Sequence, residues 1–308
     1  MLLKQKALVR KDICFWGKKL IEGNQVRFGI ILMILATLSF ALQDGLSRFL
    51  AGNYNVYMIV MIRYWFLFIL VVFVASRSQK GLLKTASTNF LLLQILRGIL
   101  LAFEIIVSVH AFVYIGLINT SAIFSSYPLI ATLLSIPILK EVIGWKRFTA
   151  ILFGFLGVLL ILRPGSGIFS LYMFLPVCSA FAFAIYAILT RYVSKMDSPE
   201  TSFFWTGLVG IIAMTGVGVW FWEQPNAIDW LWILLLCIFS TLGHFLLIKS
   251  YDLAAVSIVQ PFSYFHLIFI SFIGFLMFGE PLTLNIILGS IIVICAGIFT
   301  LKRQKSYT

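Results

Sequence analysis

Charge is what this sequence has least of. Only 11% of its 308 residues are Asp, Glu, Lys or Arg, while 61% are hydrophobic and the mean hydropathy is +1.05. Soluble domains carry about 25% charged residues, so an ordinary soluble domain is excluded. A disordered chain is excluded too, because disorder needs low hydrophobicity. Cysteine is sparse as well. Cys14, Cys178, Cys237 and Cys295 lie far apart with no CxxC pair, which supports neither a disulfide frame nor a zinc site. Small buried thiols are the expectation. No Walker A, HExxH, paired-Asp or elbow-type nucleophile motif occurs. The one GxS-like piece, Gly165-Ser166-Gly167, has no obvious base beside it. ATP hydrolysis is therefore not expected, and no metal or cofactor is implied.

Apolar runs are what the chain has in abundance. Read between polar or Gly/Pro breaks, they predict ten helices. These are Phe28–Leu50, Val56–Ala75, Phe90–Ile115, Ile118–Leu139, Lys146–Leu162, Ile168–Thr190, Thr201–Trp222, Trp230–Ile248, Ser257–Phe278 and Leu282–Leu301. A β-barrel would instead show alternating segments of about ten residues. The first run follows a basic 27-residue segment and has no small-residue cleavage site behind it, so it is expected to be an uncleaved first span. In the N-terminal segment Leu2, Val9, Ile13, Trp16 and Leu20 share one helical face, and Lys4, Lys11 and Lys18 recur every seven residues on another. That pattern predicts a helix lying on anionic lipid.

The formal net charge of +12 would suggest nucleic acid in a soluble chain; here its placement matters more. With the N-terminus in the cytoplasm, 19 of the 23 Lys and Arg fall on that side, in the tail and in the loops around Lys80, Lys146, Lys195 and Lys249. Arg48, Arg63 and Arg163 fall near the outer helix ends, and Arg97 lies within the third run. Basic residues concentrate on the cytoplasmic side, so both termini are expected inside, in a bacterial inner membrane. Nucleic acid is not an expected partner.

Ten crossings divide into two sets of five, and an odd number inverts the second copy. The linker from Leu139 to Arg147 and the linker Gly279-Glu280-Pro281-Leu282-Thr283 each carry one glutamate, followed by a glycine-bearing apolar helix (Gly154, Gly157; Gly289, Gly297). The first linker has three basic residues and the second none, as copies facing opposite sides should. Inverted repeats are an architecture of secondary transporters. The expected organisation is a basic segment 1–27, a first repeat 28–165, a second repeat 166–303 and a tail 304–308.

Several pieces, in order, resemble the EamA-domain members of the drug/metabolite transporter superfamily. They include Gln43-Asp44-Gly45-Leu46-Ser47-Arg48, Ile62-Arg63-Tyr64, Leu96-Arg97-Gly98, Asn119 to Pro128, Arg163-Pro164-Gly165, Gly243-His244, Gln260-Pro261-Phe262-Ser263-Tyr264 and Phe278-Gly279-Glu280-Pro281. The likeness spans about Phe28 to Arg303. It implies an all-α protein of ten transmembrane helices in two inverted five-helix repeats, with alternating-access transport of a small metabolite.

The few charges left inside apolar runs are the candidate site. Glu104 stands more than halfway along the third run. An ionisable side chain there costs about 2.5–3.5 kcal/mol on insertion scales, so it faces a cavity or a partner. A substrate or coupling role and an ion pair with Arg97, seven residues earlier, are both open. Asp44 and Arg48 are spaced as an intrahelical ion pair, structural or gating, which Arg63 could join or leave by snorkelling to the interface. His244 and His266 suit proton relay or substrate contact; His110 is expected at the interface. Pro128 and Pro261 each remove a backbone donor and break a helix, beside Ser126, Tyr127, Gln260 and Tyr264. Glu141 and Glu280 are expected to cap the helices that follow them, and the repeat glycines to pack closely.

Together these predict a secondary transporter of an amino-acid-like, amine or S-adenosylmethionine-like metabolite, driven by protons or by exchange. The alternatives are an intramembrane enzyme using His244, His266 and Glu104, and an exporter of drugs or other metabolites such as a flavin. The lipid bilayer is the necessary partner; a homodimer is left open.

Overall fold

In lipid every backbone N–H and C=O must find a partner within the protein, so long apolar runs have to become helices. The computed structural model describes residues 2–77, 81–139, 144–162, 170–193, 196–253 and 260–304, and among them every regular element is helical. They are α1 (Leu2–Ala51), α2 (Val56–Arg77), α3 (Gly81–Ala86), α4 (Leu91–Ile115), α5 (Leu117–Phe124), α6 (Tyr127–Leu139), α7 (Trp145–Leu162), α8 (Phe174–Val193), α9 (Pro199–Gly218), α10 (Asp229–Leu253), α11 (Phe265–Phe278) and α12 (Leu284–Gln304). Seven helical stretches are long and apolar enough to cross a membrane, beginning with Gln25–Ala51. Phe148–Leu162, Phe262–Phe278 and Leu284–Phe299 are shorter apolar helices.

The solvent logic of a soluble protein is reversed. Leu92, Phe153, Ile212, Phe272 and Trp220 are exposed, while Gln94, Arg97, Ser47 and Glu104 are buried. Lipid is the fitting solvent for such an exterior, and the protein is a multi-pass membrane protein. The interior still has an apolar core, built on Leu50, Met58, Ile59, Met61, Leu117, Ile118 and Ile123.

Helices pack mainly across the sequence. α1 lies on α10 and α11; α4 lies on α8 and α9; α2 lies on α9 and α10; α6 lies on α8; α7 lies on α12. The last pair crosses at Gly157 and Gly289. A Cβ on Gly157 would meet the Gly289 carbonyl oxygen at 2.8 Å, and one on Gly289 would meet the Gly157 oxygen at 2.7 Å. Backbones this close require glycine on both sides.

Several expectations need correction. The predicted fourth helix is two, α5 and α6, separated at Ser125–Ser126. Pro128 has no N–H for the Phe124 carbonyl and disfavours a helical residue before it, so the chain breaks ahead of the proline. The basic N-terminal segment is continuous with the first run, because α1 passes through Phe28 without interruption. Cys237 is buried, but Cys178 and Cys295 are exposed. A thiol is apolar enough to face lipid as readily as protein.

Candidate functional site

Three charges from three helices interact electrostatically in the interior, Arg63 and Glu104 buried and Asp44 half-buried. Glu104 on α4 accepts from the hydroxyls of Ser108 (2.8 Å, on its own helix) and Ser179 (2.9 Å, on α8), both on Oε1. The two serine oxygens are themselves 2.6 Å apart. Ser108 is one turn beyond Glu104, so the helix itself presents both to α8. Arg63 on α2 donates to Ser47 on α1 (3.5 Å) and to Ser240 on α10 (3.1 Å). Asp44 on α1 accepts from Gln43 (2.8 Å) and lies 3.1 Å from Nε2 of His266 on α11. Arg63 interacts electrostatically with both Asp44 and Glu104, and with His244 and Cys237. His244 sits edge-on to Phe40 at 5.1 Å. Tyr64, next to Arg63, is within electrostatic reach of Glu104 and Tyr186. The site is thus assembled from both halves of the chain.

This arrangement overturns the expected pairings. Glu104 does not pair with Arg97. Seven residues are about 10.5 Å along a helix, and Arg97 is drawn elsewhere. It donates to Thr190 (2.9 Å) and to Gln94, and its guanidinium lies 5.1 Å from the Tyr186 ring. Asp44 and Arg48 do not pair either, because each has a partner elsewhere: Asp44 has His266 on α11, and Arg48 has Glu280 in the linker before α12. Arg63 does not snorkel; it is 6% exposed.

Arg48 instead belongs to a clamp at one end of the molecule. It forms an ion pair with Glu280 and lies 4.0 Å from the centroid of the Phe278 ring. Glu280 does not cap α12, which follows it. Its Oε1 accepts the Leu117 N–H at 2.7 Å and its Oε2 the Ile118 N–H at 2.8 Å, which caps α5 in the other half. The cause is backbone shape. Gly279 is left-handed (φ +62°) and turns the carboxylate back, while Gly116 (φ +90°, ψ 162°) opens the α5 N–H groups towards it. Glu141, its expected counterpart, lies outside the described residues. At the same end Tyr54 donates to Asp229 at 2.5 Å.

The opposite end has its own polar knot, which sequence reasoning missed. Asp197, between α8 and α9, accepts from Thr88, from the Asn89 backbone N–H (3.0 Å) and from Gln94 (2.8 Å). Burial pushes the Asp197 carboxyl up, but these donors outweigh it and hold it below the ordinary aspartate range. A signal was present: Asp197-Ser198-Pro199 reads as a helix start, and Ser198 does cap α9 at the Thr201 N–H (3.3 Å).

The remaining candidates occupy a neighbouring aromatic region. Pro128 is the second residue of α6, and Pro261 lies in the 3-10 turn Gln260–Tyr264 before α11. The side chains of Gln260 and Pro261 are outside the described residues. Ser126 is buried at the break. Tyr127 packs against Phe124 (5.2 Å) and edge-on to Phe183 (4.8 Å), and it interacts electrostatically with Tyr264. Tyr264 is buried, with its hydroxyl where a Cβ on Gly297 would fall. His110 bonds the Ile106 carbonyl at 2.8 Å, beside Tyr57. A groove of about 460 Å³ between α7 and α12, lined by residues such as Phe153 and Ile291, contains none of these groups. Among the described residues no three His, Cys, Asp or Glu side chains group as a metal site.

The profile of the EamA-like transporter family matches the chain twice, over residues 27–163 and 170–302. The chain belongs to the EamA-like transporter family. An S-adenosylmethionine uptake transporter of Rickettsia prowazekii is 22% identical over 90% of this chain and 93% of its own. A riboflavin transporter of Vibrio cholerae is 27% identical over 88% and 92%. A pseudopaline exporter of Pseudomonas aeruginosa is 22% identical over 91% and 98%. A solved crystal structure shares the fold with a TM-score of 0.63, at 13% identity, over 93% of this chain and 99% of that one. This EamA member is therefore a transporter and not an enzyme, which retires the reading of His244, His266 and Glu104 as catalytic groups.

Proposed function

We propose that this EamA protein is a secondary carrier of a small metabolite that is amino-acid-like, an amine or S-adenosylmethionine-like. It works by alternating access in a bacterial inner membrane, with both termini in the cytoplasm. The observation that carries the reading is the Asp44–Arg63–Glu104 cluster, where ionisable groups are held within apolar spans despite their cost. Its two carboxylates against one guanidinium favour a substrate bearing positive charge, and the S-adenosylmethionine transporters among its relatives agree. A flavin is the second reading, favoured by the riboflavin transporter of Vibrio cholerae at 27% identity.

The architecture proposed is ten spans in two inverted repeats, 28–165 and 166–303. The seven long apolar stretches and the three shorter ones supply ten segments. Helix packing supports the inversion. Matching α1, α2, α4, α5–α6 and α7 to α8, α9, α10, α11 and α12 sends each main contact onto another. Then α1 on α10 answers α8 on α4, α1 on α11 answers α8 on α6, and α4 on α9 answers α10 on α2; α2 on α9 and α7 on α12 map to themselves. A pseudo-two-fold axis produces this exchange. On the positive-inside orientation, the Arg48–Glu280 clamp is the outer end and the Asp197 knot the cytoplasmic end.

Counterflow in proteoliposomes tests the carrier reading. Vesicles preloaded with S-adenosylmethionine, an amino-acid mixture or riboflavin should draw in the same labelled compound faster than empty vesicles for one of the three. Equal rates in all of them remove the reading. Repeating the productive case with and without an imposed pH gradient separates proton drive from exchange.

A further inference from the structure

The three charges of the cluster differ in how fully they are partnered. Asp44 is satisfied on both oxygens, by Gln43 and His266. Arg63 is not. A guanidinium has five N–H donors, yet this one holds two serine hydroxyls, one of them at 3.5 Å, and no carboxylate of a described residue pairs with it. Glu104 takes both of its hydrogen bonds on Oε1, which leaves Oε2 without one. Beside them the hydroxyl of Tyr64 and the amide oxygen of Gln43 are buried with no partner.

Leaving a buried charge uncompensated costs several kcal/mol. The unfilled positions are a guanidinium with no directly bonded anion, a carboxylate oxygen, an amide oxygen and a hydroxyl, all contributed by α1, α2 and α4. Their complement is a ligand group holding an anion and a hydrogen-bond-donating cation a few ångströms apart. A simple amine would leave Arg63 unanswered, and a neutral ring system would answer neither charge.

We infer that Arg63 and Glu104 bind an α-amino-acid headgroup, the carboxylate on the guanidinium and the ammonium on Glu104 Oε2, with Gln43 and Tyr64 completing its hydrogen bonds. This rests on the reading of the cluster as the substrate site and narrows it. Amino acids and S-adenosylmethionine-like zwitterions are retained, and amines and flavins are excluded.

The test measures thermal stabilisation of the purified full chain in lipid nanodiscs, since a ligand of the folded state raises apparent stability. The probes are S-adenosylmethionine, its decarboxylated form, the proteinogenic L-amino acids, the methyl ester and N-acetyl form of any amino acid that binds, and riboflavin. At least one zwitterion should stabilise the protein, and loss of its carboxylate or masking of its ammonium should weaken binding tenfold or more. Arg63→Gln should abolish the preference for the carboxylate, and Glu104→Gln the preference for the ammonium. The comparison of analogues on the unmodified protein stands even where a variant fails to fold. Stabilisation by riboflavin alone, by no zwitterion, or equally by parent and decarboxylated compound overturns the headgroup assignment. The carrier reading is judged separately, by counterflow, and survives each of those outcomes.

Discussion

Glu104 and Glu280 are both low-exposure carboxylates that reach from one half of the chain to the other, yet they are used in opposite ways. Glu280 is saturated: two backbone N–H groups and the Arg48 guanidinium occupy it. Glu104 holds two hydroxyls on one oxygen and leaves the other open. A saturated carboxylate fixes the fragments around it. An unsaturated one in a low-dielectric interior is a cost to the fold that something else must offset. On the proposed function, the contrast sets stability against substrate handling, although a sequence shows only two glutamates near apolar runs.

The comparison breaks most clearly at Glu104→Gln. Uptake of the productive substrate should fall at least about 30-fold, because losing one member of a buried charge interaction costs about 2 kcal/mol or more. Thermal stability should be unchanged or slightly higher, since a buried charge is removed and its shape kept. Transport within threefold of the unmodified protein would place the substrate elsewhere. Glu280→Ala should show the reverse emphasis. It frees two α5 N–H groups and one guanidinium, so stability should drop by about 1–3 kcal/mol, read as a lower unfolding temperature in the same lipid. An unfolding temperature equal to that of the unmodified chain would mean that the clamp contributes nothing.

How much of this was legible in the sequence depends on whether the cause is local. The apolar runs set the helices directly, and the oddity of Glu104 in hydrocarbon was visible without any structure. The partners were not. Ser179 is 75 residues from Glu104 and Asp197 is 109 from Thr88, and serine or aspartate in a loop carries no mark of what it will meet. The expected Asp44–Arg48 pair shows the hazard of local spacing: i,i+4 geometry permits contact, but His266 and Glu280 compete from distant parts of the chain. The same holds for Glu280, whose capping was expected nearby and is delivered across the two halves because two glycines turn the backbone.

Gly116→Ala sharpens the clamp half of the comparison. At φ +90° and ψ 162° the backbone is in a region that essentially only glycine occupies, and a Cβ would meet Glu280 Oε1 at 2.8 Å. The expected loss is about 1–3 kcal/mol. Combined with Glu280→Ala it should cost less than the sum of the two, because both act on one contact. Full additivity in unfolding temperature would separate the glycine from the clamp.

The smallest effect belongs to Asp197, the saturated carboxylate at the other end, and it is a matter of pH. Its carboxyl is held below the usual aspartate value by Thr88, Asn89 and Gln94. A depressed folded value means that the stabilisation is present above the unfolded pKa, about 3.9, and is lost as pH falls through the folded one. Asp197→Asn should therefore lower the unfolding temperature modestly at pH 7, and the gap to the unmodified protein should hold unchanged down to about pH 5. Only below about pH 4 should the two curves converge. Convergence already at pH 6 would mean that this carboxylate is not held by its donors. The knot would then not belong with the fixed frame that Glu280 represents.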